Sequence, residues 1–328
     1  MMALLTRRAV LAAPIIAMPG IARAQAWRPP GQVRIIVPAA AGGTTDIMAR
    51  LLAQFLQSRW GSPVVVENRA GAGGTIGTLE MVRARPDGTT LLLGNIGPQA
   101  IGYSLFRNLP YRAEQIANIA GTIRGPNVLV VNPSVPARTV AELAAMLRAQ
   151  PGRIPYASTG VGQSTHLSPV LMLQMLQAEA IHVPLRGSAP AQIEILAGNV
   201  AFLIDNLTGI IGHIQAGRVR ALAVTSAERH PLLPDVPAMR ETMPELATYE
   251  VNTWFGLFGP AGLPAEAVNA LNAEVMALLA LPDTQRRFTE LGGVGMPGNP
   301  DAFAAFVRSE IAKWAEVVRK EGLQLDAG

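Results

Sequence analysis

Four short segments of this 328-residue chain gather glycine, hydroxyl and amide residues where a backbone can come close to a small molecule. They are Pro38-Ala39-Ala40-Ala41-Gly42-Gly43-Thr44-Thr45-Asp46, Gly94-Asn95-Ile96-Gly97-Pro98-Gln99, Ser158-Thr159-Gly160-Val161-Gly162-Gln163-Ser164-Thr165-His166 and Asp205-Asn206. None carries Lys or Arg. Glycine lets N–H groups approach a ligand. A helix N-terminus adds unpaired donors and a partial positive charge. Such loops suit a carboxylate held by neutral donors. At roughly 1.5–3 kcal/mol per hydrogen bond to a charged group, four give about 6–12 kcal/mol gross. Micromolar affinity needs about 8 kcal/mol net, so no arginine clamp is required. A single Gly-Gly loop reads better as a tight turn. Two such loops, each opening a helix, with Asp205 at a strand end, favour a binding site.

Catalytic patterns fail in turn. Gly71-Ala72-Gly73-Gly74-Thr75-Ile76-Gly77 has Ile76 where a dinucleotide fingerprint needs its third glycine, and reads as a turn into the next helix. No Gly-Lys pair exists for a phosphate loop. Gly162-Gln163-Ser164-Thr165-His166 ends on His166 instead of the glycine of a nucleophile elbow, which sets aside a secreted hydrolase built on Ser164 and His166. The four histidines, His166, His182, His213 and His230, show no metal-ligand spacing. The chain has no cysteine. We therefore expect no catalytic residue, no metal and no cofactor. His166 has two readings, ligand contact or support of its loop.

The elements that must carry these loops alternate strand and helix. Strands are expected at Val33–Val37, Val64–Val66 and Thr90–Leu93, with helices from about Asp46 to Gly61 and around Glu80–Arg83. A second series starts at Val128–Val131. Thr139 and Glu142 form a capping box ahead of a helix to Gln150. Strands then fall at Ile154–Ala157, Ile181–Val183, Phe202–Ile204 and Val219–Val224, with helices around Leu167–Leu176, Gln192–Leu196 and Ile210–Gln215. One more strand, Thr253–Phe258, precedes helices at Glu266–Leu279 and Ala302–Lys320. The fold class is α/β with a mainly parallel sheet. A chain that leaves one lobe, builds a second and returns would cross twice, with Val128–Val131 and Thr253–Phe258 as candidate crossings.

The N-terminus reads as an address. Arg7-Arg8 precedes 14 uncharged residues, Ala9–Ala22, too short for a span of about 20. Small-x-small sites follow at Ala22-Arg23-Ala24 and Ala24-Gln25-Ala26. Residues 1–26 are thus expected to be an export signal, by either the general or the twin-arginine route. The net charge of +4 belongs largely to this segment; beyond it 24 basic residues face 23 acidic ones. No basic stripe for nucleic acid remains.

Several segments together resemble the Bug family, the periplasmic substrate-binding proteins of tripartite tricarboxylate transporters. They are Ile36-Val37-Pro38 with Ala40-Ala41-Gly42-Gly43 and Thr45-Asp46, Val65-Val66-Glu67-Asn68-Arg69 with Gly71-Ala72-Gly73-Gly74, and Pro86-Asp87-Gly88. Asn127–Pro133, Tyr156-Ala157-Ser158, Ser164-Thr165-His166-Leu167, Asp205-Asn206, Leu222–Thr225, Pro234–Pro237 and Trp254-Phe255-Gly256-Leu257 continue the series. The resemblance implies a type II periplasmic-binding-protein fold, two α/β lobes joined by two crossover segments. Lobe 1 would be residues 27–127 and 251–328, and lobe 2 residues 128–250. It implies a small carboxylate ligand, membrane permease subunits as partners, a monomer and a periplasmic location. A sensor that reports a bound acid to a signalling partner would share this fold and site. Ligand contacts implied by position are Ala41, Gly42, Thr44, Thr45, Asn95, Ser158, Thr159, Ser164, Thr165, His166 and Asp205. The family often has an aromatic where this chain has Ala39, and a hydroxyl-rich stretch where it has Ile96-Gly97-Pro98-Gln99. These departures suggest a ligand with a larger or less polar tail.

Overall fold

A computed structural model describes residues 27–320 and 322–326; the expected export signal lies outside the described residues. In chain order the elements are β1 (Val33–Val37), α1 (Thr44–Trp60), β2 (Val64–Asn68), α2 (Thr75–Val82), β3 (Thr90–Asn95), α3 (Gly102–Leu105) and β4 (Ile116–Val131). Then come α4 (Val140–Ala149), β5 (Pro155–Ser158), α5 (Ser164–Met175), β6 (Ile181–Pro184), α6 (Ser188–Ala197), β7 (Phe202–Asn206), α7 (Leu207–Gln215) and β8 (Arg220–Val224). The chain closes with β9 (Asn252–Pro260), α8 (Ala265–Leu279), α9 (Pro282–Glu290), β10 (Val294–Gly295) and α10 (Pro300–Lys320).

The strand order is β2-β1-β3-β9-β4-β7-β5-β6, with β8 and β10 also pairing β4. Inside each lobe the pairs β1–β2, β1–β3, β5–β6 and β5–β7 are parallel, as the βα alternation predicts. The strands that join the lobes are antiparallel, so the sheet is mixed. The cause is directional: β4 carries the chain out of the first lobe and β9 brings it back. β4 is far longer than the expected Val128–Val131. Its part from Ile116 to Pro126 pairs with β9, and its part from Asn127 to Val131 pairs with β7. Gly121, Gly125 and Pro126 interrupt the aliphatic run and hide the first part from a periodicity reading.

α1 shows how the residues set an element. Met48, Ala49, Leu52, Ala53, Leu56 and Trp60 are buried, while Ile47, Leu51 and Phe55 are half-buried at the margin of the same core. Gly61, left-handed at φ 67°, ends the helix with its N–H on the Gln57 carbonyl at 3.0 Å. The helical tail packs on the first lobe. Phe303, Val307, Trp314 and Val318 of α10 are buried. The Trp254 indole of β9 donates to Glu310 at 3.0 Å. Where the strands cross, Asn127 N–H donates to Thr225 Oγ1 at 2.8 Å, and Val251 N–H donates to the Thr225 carbonyl at 3.0 Å. Thr225 thus ties both crossing segments together. No helix among the described residues is long and apolar enough to cross a membrane.

Candidate functional site: a cavity at five helix N-termini

α1, α2, α5, α6 and α7 all begin at one cavity of about 260 Å³ between the lobes. The residues that precede them, Gly43, Gly74, Gln163, Gly187 and Asn206, all line it. None of these five makes a side-chain capping bond. Of the helices that start elsewhere, α4 is capped, with Thr139 Oγ1 accepting from the Glu142 N–H at 3.1 Å, whereas α3, α8 and α9, preceded by Ile101, Pro264 and Leu281, are not. A side-chain cap contributes about 1 kcal/mol. Five helices start without one around a single cavity, and helix starts offer unpaired N–H groups and a partial positive charge, an arrangement suited to an anion.

The first loop is held by Asp46. Its carboxylate accepts from Gly42 N–H at 3.0 Å, Arg50 Nε at 2.9 Å and Asn68 Nδ2 at 3.0 Å. Burial alone would raise the Asp46 pKa, but these donors together hold it below the usual carboxylate range. Asn68 also donates to the Ala39 carbonyl at 3.1 Å, so β2 fixes the loop after β1. In the third-strand loop Asn95 Oδ1 accepts from Gly97 N–H at 3.0 Å, and Asn95 N–H donates to Gln99 Oε1 at 2.9 Å.

The second lobe builds its side on stacked rings. His166 lies on His182 at 4.3 Å, His182 on Tyr156 at 5.0 Å, and Tyr156 on Phe202 at 5.1 Å. Ser158 Oγ and His182 Nε2 share a hydrogen bond of 2.7 Å, and Ser158 Oγ accepts from Gly160 N–H at 3.3 Å. His166 Nδ1 accepts from Gly162 N–H at 3.3 Å. Burial, and then the charge of His182, push the His166 pKa down to about 3; burial pushes His182 down to about 4. Both rings are neutral supports near pH 7.

Asp205 is fully buried. It accepts from Ser188 Oγ at 2.5 Å, Gln192 Nε2 at 2.8 Å and Asn206 N–H at 2.8 Å. Burial pushes its pKa up, and the Ser188, Gln192 and Asn206 bonds act against that rise. Its partner Ser188 lines the cavity.

Of the residues singled out from the sequence, Thr44, Thr45, Asn95, Thr159 and Ser164 line the cavity. Ala41 and Gly42 are exposed and lie outside the lining. Ser158, Thr165, His166 and Asp205 are buried outside the lining and bond to the loops that form it; Thr165 Oγ1, for instance, lies 2.7 Å from Thr159 Oγ1. Ile96 and Pro98 are buried and do not line the cavity, so they add no apolar wall to it, whereas Ala39 does line it.

One wall of the cavity lies outside the four loops singled out from the sequence. The turn after β6, Pro184-Leu185-Arg186-Gly187-Ser188, lines the cavity and brings Arg186, a cation absent from the four loops first considered. The signal was a strand followed by Gly-Ser and a helix, the same grammar as the loops after Val37 and Ala157. The turn at Gly71–Gly74 also lines the cavity. Hydrogen bonds that cross the cleft include Thr44 Oγ1 with Thr208 Oγ1 at 2.7 Å, Ala40 N–H to the Arg186 carbonyl at 2.8 Å, and Gln163 Nε2 to the Gly73 carbonyl at 2.7 Å. The described lobes are closed on one another. No cluster of potential metal ligands exists among the described residues.

Comparison with known proteins agrees with this geometry. The chain is 36% identical over 300 residues to Protein BugT of Bordetella pertussis, covering 90% of this chain and 91% of that one. The solved structure of R. palustris Rpa4515 with adipate superposes with a TM-score of 0.86 at 34% identity, over 90% of this chain and 99% of that one. MatC from Rhodopseudomonas palustris with bound malate superposes with a TM-score of 0.83 at 32% identity, over 88% and 99%. Both are similar to this chain over its two lobes. Residues 48–323 match the tripartite tricarboxylate transporter family receptor, and the chain belongs to that family of periplasmic solute-binding proteins.

Proposed function

We propose that this protein is an exported receptor, without catalytic activity, that closes two lobes on a small carboxylate and delivers it to the membrane permease subunits of a tripartite transporter. One observation carries the reading: five helix N-termini without side-chain caps converge on one interlobe cavity. Thr44, Thr45, Asn95, Thr159 and Ser164 contact the ligand in this proposal. Ser158, Thr165, His166 and Asp205 position the loops, and Ala41 and Gly42 stand outside. Structural neighbours holding adipate and malate support a carboxylate as the ligand class.

The lobes divide at residues 27–127 with 251–328 and at residues 128–250. The change of β4 partners between Pro126 and Asn127 supports that division. Residues 1–26 act as the signal that places the protein in the periplasm and are then removed, which the Arg7-Arg8 pair and the small-x-small sites support. In this proposal the protein acts as a monomer. A thermal-shift screen of carboxylates tests the reading. A ligand at 100 times its Kd stabilises by about 2.7 kcal/mol. That is a shift of several degrees at roughly 2–4 °C per kcal/mol. If a neutral sugar or a cation shifts the melt and no acid does, the proposal fails.

A further inference from the structure

The cavity is bounded where the lobes touch, at two places, and each brings one charged side chain to the lining. At the first, the Ala40 N–H meets the Arg186 carbonyl, and a Cβ on Gly187 would lie 3.0 Å from the Ala40 nitrogen. Arg186 belongs to this side. At the second, Gln163 reaches the Gly73 carbonyl, and the Phe106 ring sits against Gly162, where a Cβ would lie 2.9 Å from it. Asp326 belongs to this side, because the C-terminal segment runs beside Phe106. Leu325 N–H donates to the Leu105 carbonyl at 2.9 Å, and Arg107 N–H donates to the Leu325 carbonyl at 3.0 Å. Arg107 Nε also donates to Gln324 at 3.2 Å. These bonds hold the residue before Asp326 in a parallel bridge with Phe106.

Among the described residues, Arg186 and Asp326 are the charged side chains of the lining, and both are exposed. Neither is in any ion pair among the described residues. A cavity charged positively on one side and negatively on the other orients a ligand that carries both signs. Building on the carboxylate reading above, we infer that the ligand is an amino acid in the broad sense. Its carboxylate faces the N-termini of α1 and α6 on the Arg186 side. An ammonium or other donor group faces Asp326, on the side that Phe106 lines. A diacid of equal length would set its second carboxylate beside Asp326. The C-terminal segment is then a specificity element, and Asp326 accepts from the amine, whereas Asp205 is buried outside the lining.

The test is titration calorimetry on the full chain and on Asp326→Asn, with matched pairs of unbranched diacids and ω-amino acids of four to six carbons. Adipate against 6-aminohexanoate is the longest pair. In the wild-type chain the amino acid of the best pair should bind more tightly than its diacid. Asp326→Asn should move that ratio toward the diacid by roughly fivefold or more, the scale of one charge contact in a partly hydrated site. An unchanged ratio in Asp326→Asn, a wild-type preference for the diacid, or no binding by either member of every pair overturns the inference. In the last two cases, binding of a diacid or another carboxylate leaves the carboxylate reading standing. Failure of all carboxylates removes both.

Discussion

Replacing Asp205 with alanine should lower the melting temperature of the ligand-free protein and weaken carboxylate binding at the same time. The Asp205 carboxylate is fully buried and accepts from Ser188 Oγ, Gln192 Nε2 and the Asn206 N–H at 2.5, 2.8 and 2.8 Å. Alanine strips the acceptor from three donors. A buried donor without a partner costs roughly 1–3 kcal/mol. Two terms reduce the sum. Gln192 Nε2 keeps the Gly209 carbonyl at 3.1 Å, and the variant no longer buries a carboxylate. A net loss of about 2–4 kcal/mol remains. At roughly 2–4 °C per kcal/mol the melt should fall by about 4–16 °C. Asp205→Asn keeps the shape and one acceptor oxygen, so its loss should be about half as large. Affinity should fall with stability because Ser188, freed from its anchor, lines the cavity. The assays are a calorimetric melt without ligand and a titration with the tightest acid of the screen. A ligand-free melt that stays in place while affinity drops would refute the network and make Asp205 a direct ligand contact.

Further expectations follow from the same contacts. Gly73→Ala should cost carboxylate affinity tenfold or more, because φ is +60° and a Cβ there collides with the Val161 carbonyl oxygen across the cleft; an unchanged titration would show that the closed contact is not the bound one. His166 and His182 titrate near 3 and 4 in the native protein against 6.5 for the free ring. Their neutral state therefore stabilises the fold fully above pH 6.5. As the pH falls from 6.5 to about 4, the unfolded chain takes up protons that the native chain refuses, and stability should drop on the order of 1–2 kcal/mol per pH unit. Melts of His182→Gln should show a shallower fall over that range, and an equal slope would remove His182 as a source of it. Thr225→Val should lower the melt by roughly 1–3 kcal/mol, since the Asn127 N–H loses the hydroxyl that accepts from it at 2.8 Å; a chemical-denaturation curve superposable on wild type would show that this tie carries no weight.

The alternation of aliphatic runs and helical faces was enough to read two βα series, because each of β1, β3, β5 and β7 is short and its helix follows at once. β4 was legible only in its last residues. In its first part Gly121, Gly125 and Pro126 break up the apolar residues Ile116, Ile119 and Ile123, and it is a strand because β9 pairs with it, which is information held far along the chain. The site divides in the same way. Thr44, Thr45, Asn95, Thr159 and Ser164 sit at or near strand ends or at helix starts, where composition marks them. Whether a neighbour such as Thr165 or Asp205 faces the ligand or supports the loop depends on a rotation about the helix or strand axis, and residue type does not encode it. Arg186 and Asp326 escaped notice for different reasons. Arg186 follows a strand whose half-exposed residues give a weak signal. Asp326 reaches the cavity only because the C-terminal segment docks on Leu105–Arg107.

The central claim is that a carboxylate is held by the open helix N-termini between the lobes. A crystal structure of the protein with the tightest acid of the screen tests it most directly. We expect a carboxylate group between the lobes, its oxygens about 2.7–3.2 Å from backbone N–H groups at the starts of α1, α5 or α6, with Thr44, Thr45 or Ser164 hydroxyls beside it. A carboxylate bound through side-chain cations alone, or outside the cavity lined by Gly43, Gln163 and Gly187, would contradict it.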